Sequence, residues 1–205
     1  MPDYTLENEL YHQGFPMVCG IDEAGRGPLC GPVVAAACIL PLGLEIEGLN
    51  DSKKLTPAKR EKLFDAIVHE AVAWSVASAS VEEIDRLNIL EADLLAMRRA
   101  VAGLSVKPDF ALIDGNINRG FSLPSRAVVH GDALCMSIAA ASVLAKVTRD
   151  RICVELDKEY PMYGIARHKG YGTKEHMDIL KKIGPAPIYR KQFIRFLNDK
   201  TDTEK

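Results

Sequence analysis

The first forty residues contain two apolar runs of strand length separated by a glycine-rich segment. Residues 17–22 are mainly apolar and end in the first of two adjacent acids, and Val33–Leu40 is apolar throughout after Gly31-Pro32. Short apolar runs bounded by glycine and proline are typical of buried strands. The pattern therefore predicts two neighbouring strands that pair as a hairpin.

Helical spacing follows the predicted hairpin. Thr56-Pro57 is typical of a helix start, because threonine caps the first turn and proline fits the first helical position. Residues 72–76 alternate between large and small side chains, which predicts a strand, and Asn88 with Glu91 has the spacing of a second helix start. The apolar positions of the two helices are Leu63, Phe64, Ile67, Val68 and Ala71 in the first, and Leu90, Leu94, Met97 and Val101 in the second.

The second half of the chain continues the alternation of strands and helices. We predict a strand at 110–113, a short strand at 128–129, a helix from 131 to 160, a glycine-rich basic loop at 167–172, and a helix from Thr173 to Gly184. Strands that alternate with helices predict an α/β layered fold, here with a helical C-terminal part. The polar residues 1–16 predict an arm or a short helix, and residues 198–205 a disordered tail.

Composition adds bounds on the class of protein. A chain of 205 residues predicts one domain, and a net charge of −2 does not by itself indicate a nucleic-acid binder, although basic residues cluster locally. The longest apolar run, Val33 to Leu42, is too short to cross a bilayer, so we expect no membrane contact. Five cysteines form no CxxC motif, which predicts reduced thiols in a cytoplasmic protein. They are Cys19, Cys30, Cys38, Cys135 and Cys153.

The end of the first predicted strand carries the most distinctive chemistry. Asp22 and Glu23 are followed by Gly25-Arg26-Gly27. Neighbouring side chains of a strand point to opposite faces, so both acids can meet one centre only if the strand ends there and the chain turns. Glycines allow a close approach of a ligand to the backbone. The stretch predicts a metal-dependent phosphate site, and the alternative is a strand end with two solvated acids.

Two further acids lie at predicted element ends. Asp114 follows a buried strand, and Asp132 lies at the start of a helix. Each has an ordinary interpretation, since aspartate is common in turns and at helix N-caps. If the four acids converge, they need cations to offset their repulsion, and carboxylate oxygens favour Mg²⁺ or Mn²⁺. Two such ions can catalyse phosphodiester hydrolysis.

A series of motifs in fixed order resembles bacterial ribonuclease HII. The resemblance covers residues 17–197 without large insertions. The motifs are Asp22-Glu23-Ala24-Gly25-Arg26-Gly27-Pro28, Asp51-Ser52-Lys53-Lys54-Leu55, Gly131-Asp132 with Ser137–Ser142, Ala145–Arg151, and His168-Lys169-Gly170-Tyr171-Gly172-Thr173.

The resemblance implies a fold and an activity. The fold is a ribonuclease H-like mixed sheet flanked by helices, with a core at 17–158 and a small helical extension at 159–197 that form one catalytic unit. The activity is endonucleolytic hydrolysis of RNA paired with DNA, and incision 5′ of single ribonucleotides in duplex DNA, which leaves 3′-hydroxyl and 5′-phosphate ends. The family uses two divalent ions and no covalent intermediate, and it serves ribonucleotide removal from DNA. Its four metal-binding acids correspond to Asp22, Glu23, Asp114 and Asp132.

Contacts to the substrate follow from the same resemblance. The backbone of Gly25, Arg26 and Gly27 is expected to contact the ribose 2′-hydroxyl, and Tyr171 to stack on the sugar of the following deoxynucleotide. The alternative for Tyr171 is a half-buried loop aromatic. Phosphate contacts are expected from Lys53, Lys54, Lys146, Arg149, His168 and Lys169, for which the alternative is a solvated basic face.

The chain departs from the family pattern at two places. His130 stands where lysine is common, and Tyr189-Arg190-Lys191-Gln192 differs from the usual histidine–arginine–x–serine. Both departures concern local phosphate contacts. Residues 192–197 resemble a sliding-clamp peptide loosely, and an apolar segment packed on the core would have the same letters. We otherwise expect a monomer.

Two other classes of function remain open at this point. The first is a duplex-binding module of the same fold without catalysis, which the four acids disfavour. The second is a different nuclease of the same fold, such as a resolvase, which Tyr171 and the glycine–arginine–glycine turn disfavour.

Overall fold

The computed structural model describes residues 1–49 and 55–197. Its centre is a five-stranded mixed sheet with the order β3-β2-β1-β4-β5, flanked by helices, so the predicted α/β fold is confirmed. The strands are β1 (Val18–Ala24), β2 (Val33–Ile39), β3 (Ala73–Ala79), β4 (Phe110–Asp114) and β5 (Ser125–Val128).

Strand pairing brings two of the predicted acids to one edge. β1 and β2 form the predicted antiparallel hairpin, whereas β1 pairs in parallel with β4, and β4 in parallel with β5. The parallel register matches Ile21 with Ile113, so Asp22 and Asp114 both come next. The carboxyl ends of parallel strands meet at one edge of a sheet, and this places the two acids side by side.

The helices confirm most of the predicted pattern and add two short elements. They are α1 (Thr5–His12), α2 (Pro57–Glu70), α3 (Val81–Leu87), α4 (Ile89–Ala102), α5 (Gly131–Leu134), α6 (Met136–Glu159), α7 (Ile165–His168) and α8 (Lys174–Ile183). Short 3₁₀ turns cover Pro161–Tyr163 and Arg195–Leu197. Of the two options for the N-terminal residues, the short helix is observed.

The observed secondary structure differs in detail from the prediction at four places. The strand predicted at 128–129 covers Ser125–Val128 instead. The helix α3 was not predicted, although Ser80 and Glu83 form a capping box at its start. The single helix predicted from 131 to 160 is interrupted at Cys135, whose backbone is extended. α7 occupies part of the predicted loop at 167–172, and its left-handed end at Lys169 (φ 52°) turns the chain toward Tyr171.

The helix α6 packs directly on the central strand. A Cβ on Gly20 of β1 would lie 2.1 Å from the backbone carbon of Ser137, so only glycine allows this approach. Ala139, Ala140 and Ala141 of α6 are fully buried. Small residues on both elements hold the strand that carries Asp22 and Glu23 against the helix.

The C-terminal part packs on the core through an apolar cluster of its own. The cluster joins the segment between β1 and β2, the second half of α6 and the residues that follow it. Its buried members are Cys30, Cys153, Tyr163, Ile165, Leu180, Tyr189 and Ile194. Among the described residues, none of the helices is long and apolar enough to cross a membrane.

Candidate active site

Three of the four predicted acids converge. Oxygen atoms of Asp22, Glu23 and Asp114 lie within 4.8 Å of one another, an arrangement that could hold a metal ion. The expectation that β1 ends at these acids was wrong, because the strand continues to Ala24 through its pairing with β2. The pairing with β4 stops at Ile21, however, so the acids project beyond the last paired residue on that side.

Burial and mutual repulsion set the electrostatics of this cluster. Asp22 is 2% exposed. Burial is the main cause that raises the pKa of Asp22 well above its ordinary value, and the nearby carboxylates of Glu23 and Asp114 raise it further. Hydrogen bonds from Ser142 and from the Glu23 N–H act in the opposite direction. Bound cations would offset this repulsion, so the donor set fits a hard divalent ion.

The fourth acid lies next to the cluster without being one of the three converging groups. Asp132 is buried at the start of α5. The N–H of the preceding residue, Gly131, donates to Oδ1 of Asp114 at 2.7 Å, which ties the start of α5 to the end of β4. A Cβ on Gly131 would lie 3.3 Å from the same oxygen and 2.5 Å from the side chain of Ile138. The role of Asp132 as a metal ligand stays a prediction.

The glycine–arginine–glycine turn borders the acids. Gly25 has a φ of +97° and its Cβ would lie 2.7 Å from the Arg149 side chain, so the fold itself requires glycine there. Gly27 is different, because its Cβ would meet only Tyr171, at an ordinary 3.5 Å. Arg26 contacts Glu23 at 3.5 Å and Asp93 at 3.4 Å.

Asp93 is a fifth acid at this site and was not predicted. It lies on α4 and is 2% exposed, and its Oδ1 atom is buried without a hydrogen-bond donor among the described residues. Burial and the Glu23 carboxylate raise the pKa of Asp93 to about 8, although Arg26 opposes the shift. A signal was present in the sequence, since position 93 falls on the apolar face that includes Leu90 and Leu94.

A cavity of about 170 Å³ lies between the turn, α6 and Tyr171. Tyr171 is 49% exposed and stands at the rim, opposite Gly27. Glu23 of the acid cluster, exposed backbone of the turn, basic side chains and an aromatic ring thus share one concave surface. The lining includes Glu23, Gly25, Arg26, Gly27, Lys146, Arg149, Lys169 and Tyr171.

Comparison with known proteins decides the family. The family model for ribonuclease HII matches residues 19–197. The chain belongs to the ribonuclease HII family. The fold, the acid cluster and the resemblance of the motifs agree with this membership, and the predicted enzyme class, a ribonuclease H and hence a hydrolase, is confirmed.

Curated members of the ribonuclease HII family are similar over most of this chain. A ribonuclease HII of Myxococcus xanthus is 56% identical over 92% of this chain, which spans 64% of that relative's length. A ribonuclease HII of Burkholderia pseudomallei is 60% identical over 86% of this chain and 83% of its own.

Solved structures of the family share the fold. The crystal structure of ribonuclease H2 from Pyrococcus horikoshii has a TM-score of 0.73 at 29% identity and covers 91% of this chain and 99% of its own. The ribonuclease HII in a complex with PCNA from Archaeoglobus fulgidus has a TM-score of 0.72 at 26% identity, with 92% and 98% coverage.

The predicted phosphate contacts of this protein fall into three groups. Lys146 and Lys169 line the cavity, and Nζ of Lys146 is held by Asp150 Oδ1 at 2.6 Å. Lys53 and Lys54 lie outside the described residues.

Arg149 and His168 form the third group, because the structure uses both side chains internally. Arg149 is 2% exposed, donates to the Cys30 carbonyl at 2.8 Å and contacts the sulfur of Cys153. Nε2 of His168 lies 2.9 Å from the Tyr163 carbonyl oxygen, and Nδ1 accepts from the Gly170 N–H. Both side chains thus hold loops of the protein itself, although Arg149 also lines the cavity, and their roles as phosphate contacts stay predictions.

Asp93 gives the first prediction. The pKa of Asp93 is about 8 in the folded protein and about 3.9 in an unfolded chain. At pH values between about 4 and 8, the folded state therefore binds one more proton than the unfolded state does. The stability that this proton contributes is complete below pH 4 and is lost as the pH rises through 8. We expect Asp93→Asn to flatten the fall in melting temperature of the metal-free protein between pH 5 and 9.

The matched control for Asp93→Asn is Asp65→Asn, which changes an exposed acid on α2. Melting curves at unit steps of pH, in a chelating buffer, compare the three proteins. An Asp93→Asn curve parallel to that of the wild type would contradict a raised pKa at this position.

Proposed function

We propose that this protein is an endonuclease that hydrolyses the RNA strand of RNA/DNA hybrids and incises duplex DNA 5′ of single ribonucleotides. The products are 3′-hydroxyl and 5′-phosphate ends, and the role is ribonucleotide removal from DNA. One observation carries the proposal: Glu23, which converges with Asp22 and Asp114, lines the same cavity as the glycine–arginine–glycine turn and Tyr171. Family membership supports the hydrolytic activity.

Divalent cations complete the site in this proposal. Asp22, Glu23, Asp114 and Asp132 would hold two Mg²⁺ or Mn²⁺ ions, since hard carboxylate oxygens select such ions. Bound ions would activate a water for attack and stabilise the leaving oxygen. The raised pKa of Asp22 supports the fit, because a buried acid crowded by like charges is ionised more easily beside a cation.

The protein's own groups position the substrate strand. The open surface at Gly27 supports a backbone contact with the ribose, because the fold tolerates a Cβ there, so the requirement for glycine would come from the ligand. Arg26 bridges Glu23 and Asp93 and so holds the turn beside the acids. The 2′-hydroxyl distinguishes RNA from DNA, and a backbone donor or acceptor can read it.

Lys146 and Lys169 would contact phosphates along the same strand. Both line the cavity, and Asp150 orients the Lys146 ammonium through the 2.6 Å contact. Such contacts place the duplex without reading bases, and their strength falls as salt increases. Lys53 and Lys54 stay in the proposal as predicted phosphate contacts.

A location in the cytoplasm and a monomeric state complete the proposal. All five cysteines are free and buried, as expected of thiols in a reducing compartment. The segment 192–197 resembles a clamp peptide, but Ile194 is buried, and Phe193 and Phe196 pack on the core clusters. Clamp binding would therefore require these side chains to leave their places.

A labelled DNA duplex with one internal ribonucleotide tests the function. The purified protein with Mg²⁺ or Mn²⁺ should incise the strand 5′ of the ribonucleotide and leave an all-DNA duplex of the same sequence intact. Binding without incision would favour the silent duplex-binding module. Cutting of branched all-DNA substrates would favour a resolvase. Either result overturns the proposal.

Tyr171 gives the second prediction. An aromatic ring stacked on a nucleotide contributes about 1–3 kcal/mol, so Tyr171→Ala should lower kcat/KM by about tenfold or more on single-ribonucleotide duplexes. We expect a smaller loss on long hybrids, where many registers are open to the enzyme, and Tyr171→Phe should retain most activity. Tyr11→Ala is the control, since Tyr11 is similarly exposed but lies on α1. Equal losses on both substrates would remove the role at the junction.

A further inference from the structure

A buried arginine of the C-terminal part donates hydrogen bonds to the turn that borders the acids. Arg190 has no exposed surface, and its guanidinium points at the segment between β1 and β2. Every one of its five N–H groups has a backbone carbonyl acceptor, which saturates the donor capacity of arginine. The acceptors are Gly25 at 2.6 Å, Pro28 at 2.8 Å, Arg26 at 2.9 Å, Gly31 at 3.0 Å and Pro32 at 3.2 Å.

Backbone hydrogen bonds fix the approach of Arg190 to this segment. The Arg190 N–H donates to the Leu29 carbonyl at 2.9 Å, and the Gly31 N–H donates to the Ile188 carbonyl at 2.9 Å. The Phe193 ring lies 5.2 Å from the guanidinium carbon and covers it. The guanidinium is thus held from several sides, and it cannot swing out to contact a phosphate.

The carbonyls held by Arg190 determine where the amides of the turn point. In a trans peptide the C=O and the following N–H are antiparallel, and the described chain contains no cis peptide. Because the carbonyls of Gly25 and Arg26 face the guanidinium, the N–H groups of Arg26 and Gly27 point away from it. The residues of the turn line the cavity with Tyr171, whereas Arg190 lies behind the turn.

The charge of Arg190 is compatible with this role. Burial, first, and the neighbouring Arg149, second, lower the pKa of Arg190 to about 10, so the guanidinium is still protonated at neutral pH. A protonated guanidinium keeps all five donors, and its planar fork holds several carbonyls at fixed angles.

From this geometry we infer that Arg190 is a positioning residue for ribose recognition: it orients the amides of Arg26 and Gly27 toward the 2′-hydroxyl of the substrate. The inference rests on the proposed function, because it names the residue that shapes the ribose-reading turn. Lysine keeps the positive charge but has three donors on a single nitrogen, so it cannot hold five carbonyls in one plane.

Competition kinetics test the inference with Arg190→Lys. The KM for a duplex with one ribonucleotide and the Ki of the matched all-DNA duplex are measured in the same Mn²⁺ buffer. We expect the wild type to have a KM below the Ki, and Arg190→Lys to raise the KM about tenfold while the Ki and the Mn²⁺ affinity stay unchanged. Arg195→Lys is the control, because it makes the same change on the exposed surface of the same segment.

The outcomes separate this inference from the proposed function. A folded Arg190→Lys enzyme with the wild-type ratio of Ki to KM, even at a lower melting temperature, shows a purely structural residue and overturns the inference alone. A wild-type protein that does not incise overturns the proposed function and the inference with it.

A measurement on the wild type applies if the variant does not fold. The Nε–H resonance of Arg190 should shift when a ribonucleotide duplex is added in the absence of divalent ions, and shift less with the all-DNA duplex. Equal shifts with both duplexes would overturn the inference.

Discussion

Asp22→Asn should reduce incision by about a thousandfold or more, which corresponds to about 4 kcal/mol of transition-state stabilisation. The variant loses one negative ligand at the point where the three converging acids meet. Steady-state incision of the single-ribonucleotide duplex in Mn²⁺ measures the loss, and calorimetry should show weaker Mn²⁺ binding. Undiminished turnover would refute the metal assignment. Asp178→Asn, at an exposed position on α8, is the matched control.

The same substitution should make the metal-free protein more stable. Burial and neighbouring acids raise the pKa of Asp22, so the folded protein holds the proton of this carboxyl more tightly than the unfolded chain does. The stabilisation from this proton is complete at pH values below the ordinary pKa of about 3.9, and it is lost as the pH rises through the pKa of the folded state. At neutral pH without metal, we therefore expect Asp22→Asn to melt at a higher temperature than the wild type. Mn²⁺ should raise the melting temperature of the wild type more than that of the variant. A lower melting temperature for the metal-free variant would contradict this account.

Gly20→Ala should cause the largest loss of stability among the substitutions considered. The new Cβ would lie 2.1 Å from the Ser137 carbon and 2.2 Å from the Ile138 nitrogen, and backbone atoms cannot yield as a side chain can. Overpacking of this kind costs about 3 kcal/mol, and the strand that carries Asp22 would be displaced from α6. Urea unfolding with a fixed slope measures the change.

Gly172→Ala serves as the control for Gly20→Ala. Its added Cβ would meet only Leu29, at 3.5 Å or more, which is ordinary contact. Similar stability of the two variants would contradict the tight packing of β1 on α6. We also expect the incision activity of Gly20→Ala to fall by a larger factor than the fraction of folded protein, because Asp22 and Glu23 lie on β1.

Local patterns predicted the elements whose signals lie within a few residues. β1, β2 and β4 were predicted from short apolar runs, and α2 and α4 from caps followed by helical spacing, because each of these signals is local. The break at Cys135 was not predicted. It arises where the chain meets the N-terminal segment: Asp3 pairs with Cys135, and Glu7 accepts hydrogen bonds from Ser137. A contact between residues so distant in sequence leaves no local signature.

The residues of the site were also predictable from local signals, whereas their convergence was not. The acids were recognisable because each stands at or near the end of a strand or helix, and the ordered motifs identified the family. The convergence of Asp22, Glu23 and Asp114 depends on the parallel pairing of β1 with β4, which joins segments far apart in the chain. Asp93 could have been noticed as an acid on an apolar helical face.

Arginine positions show where prediction from the chain alone ended. The sequence does not distinguish the arginines at positions 26, 149 and 190. In the structure, Arg26 is half exposed beside two acids, whereas Arg149 and Arg190 are buried. A guanidinium can bind a phosphate or a set of carbonyls, and only the surrounding backbone decides which.

The sequence by itself therefore determined the family, the order of the elements and the chemistry of the acids, since these depend on residue type and short spacing. Only the tertiary structure decided which acids meet, which basic side chains reach the cavity, and that Arg190 holds the turn from behind. Those outcomes depend on strand register and on packing between distant segments. A charged side chain that such packing buries binds groups of the protein itself and no longer contacts solvent.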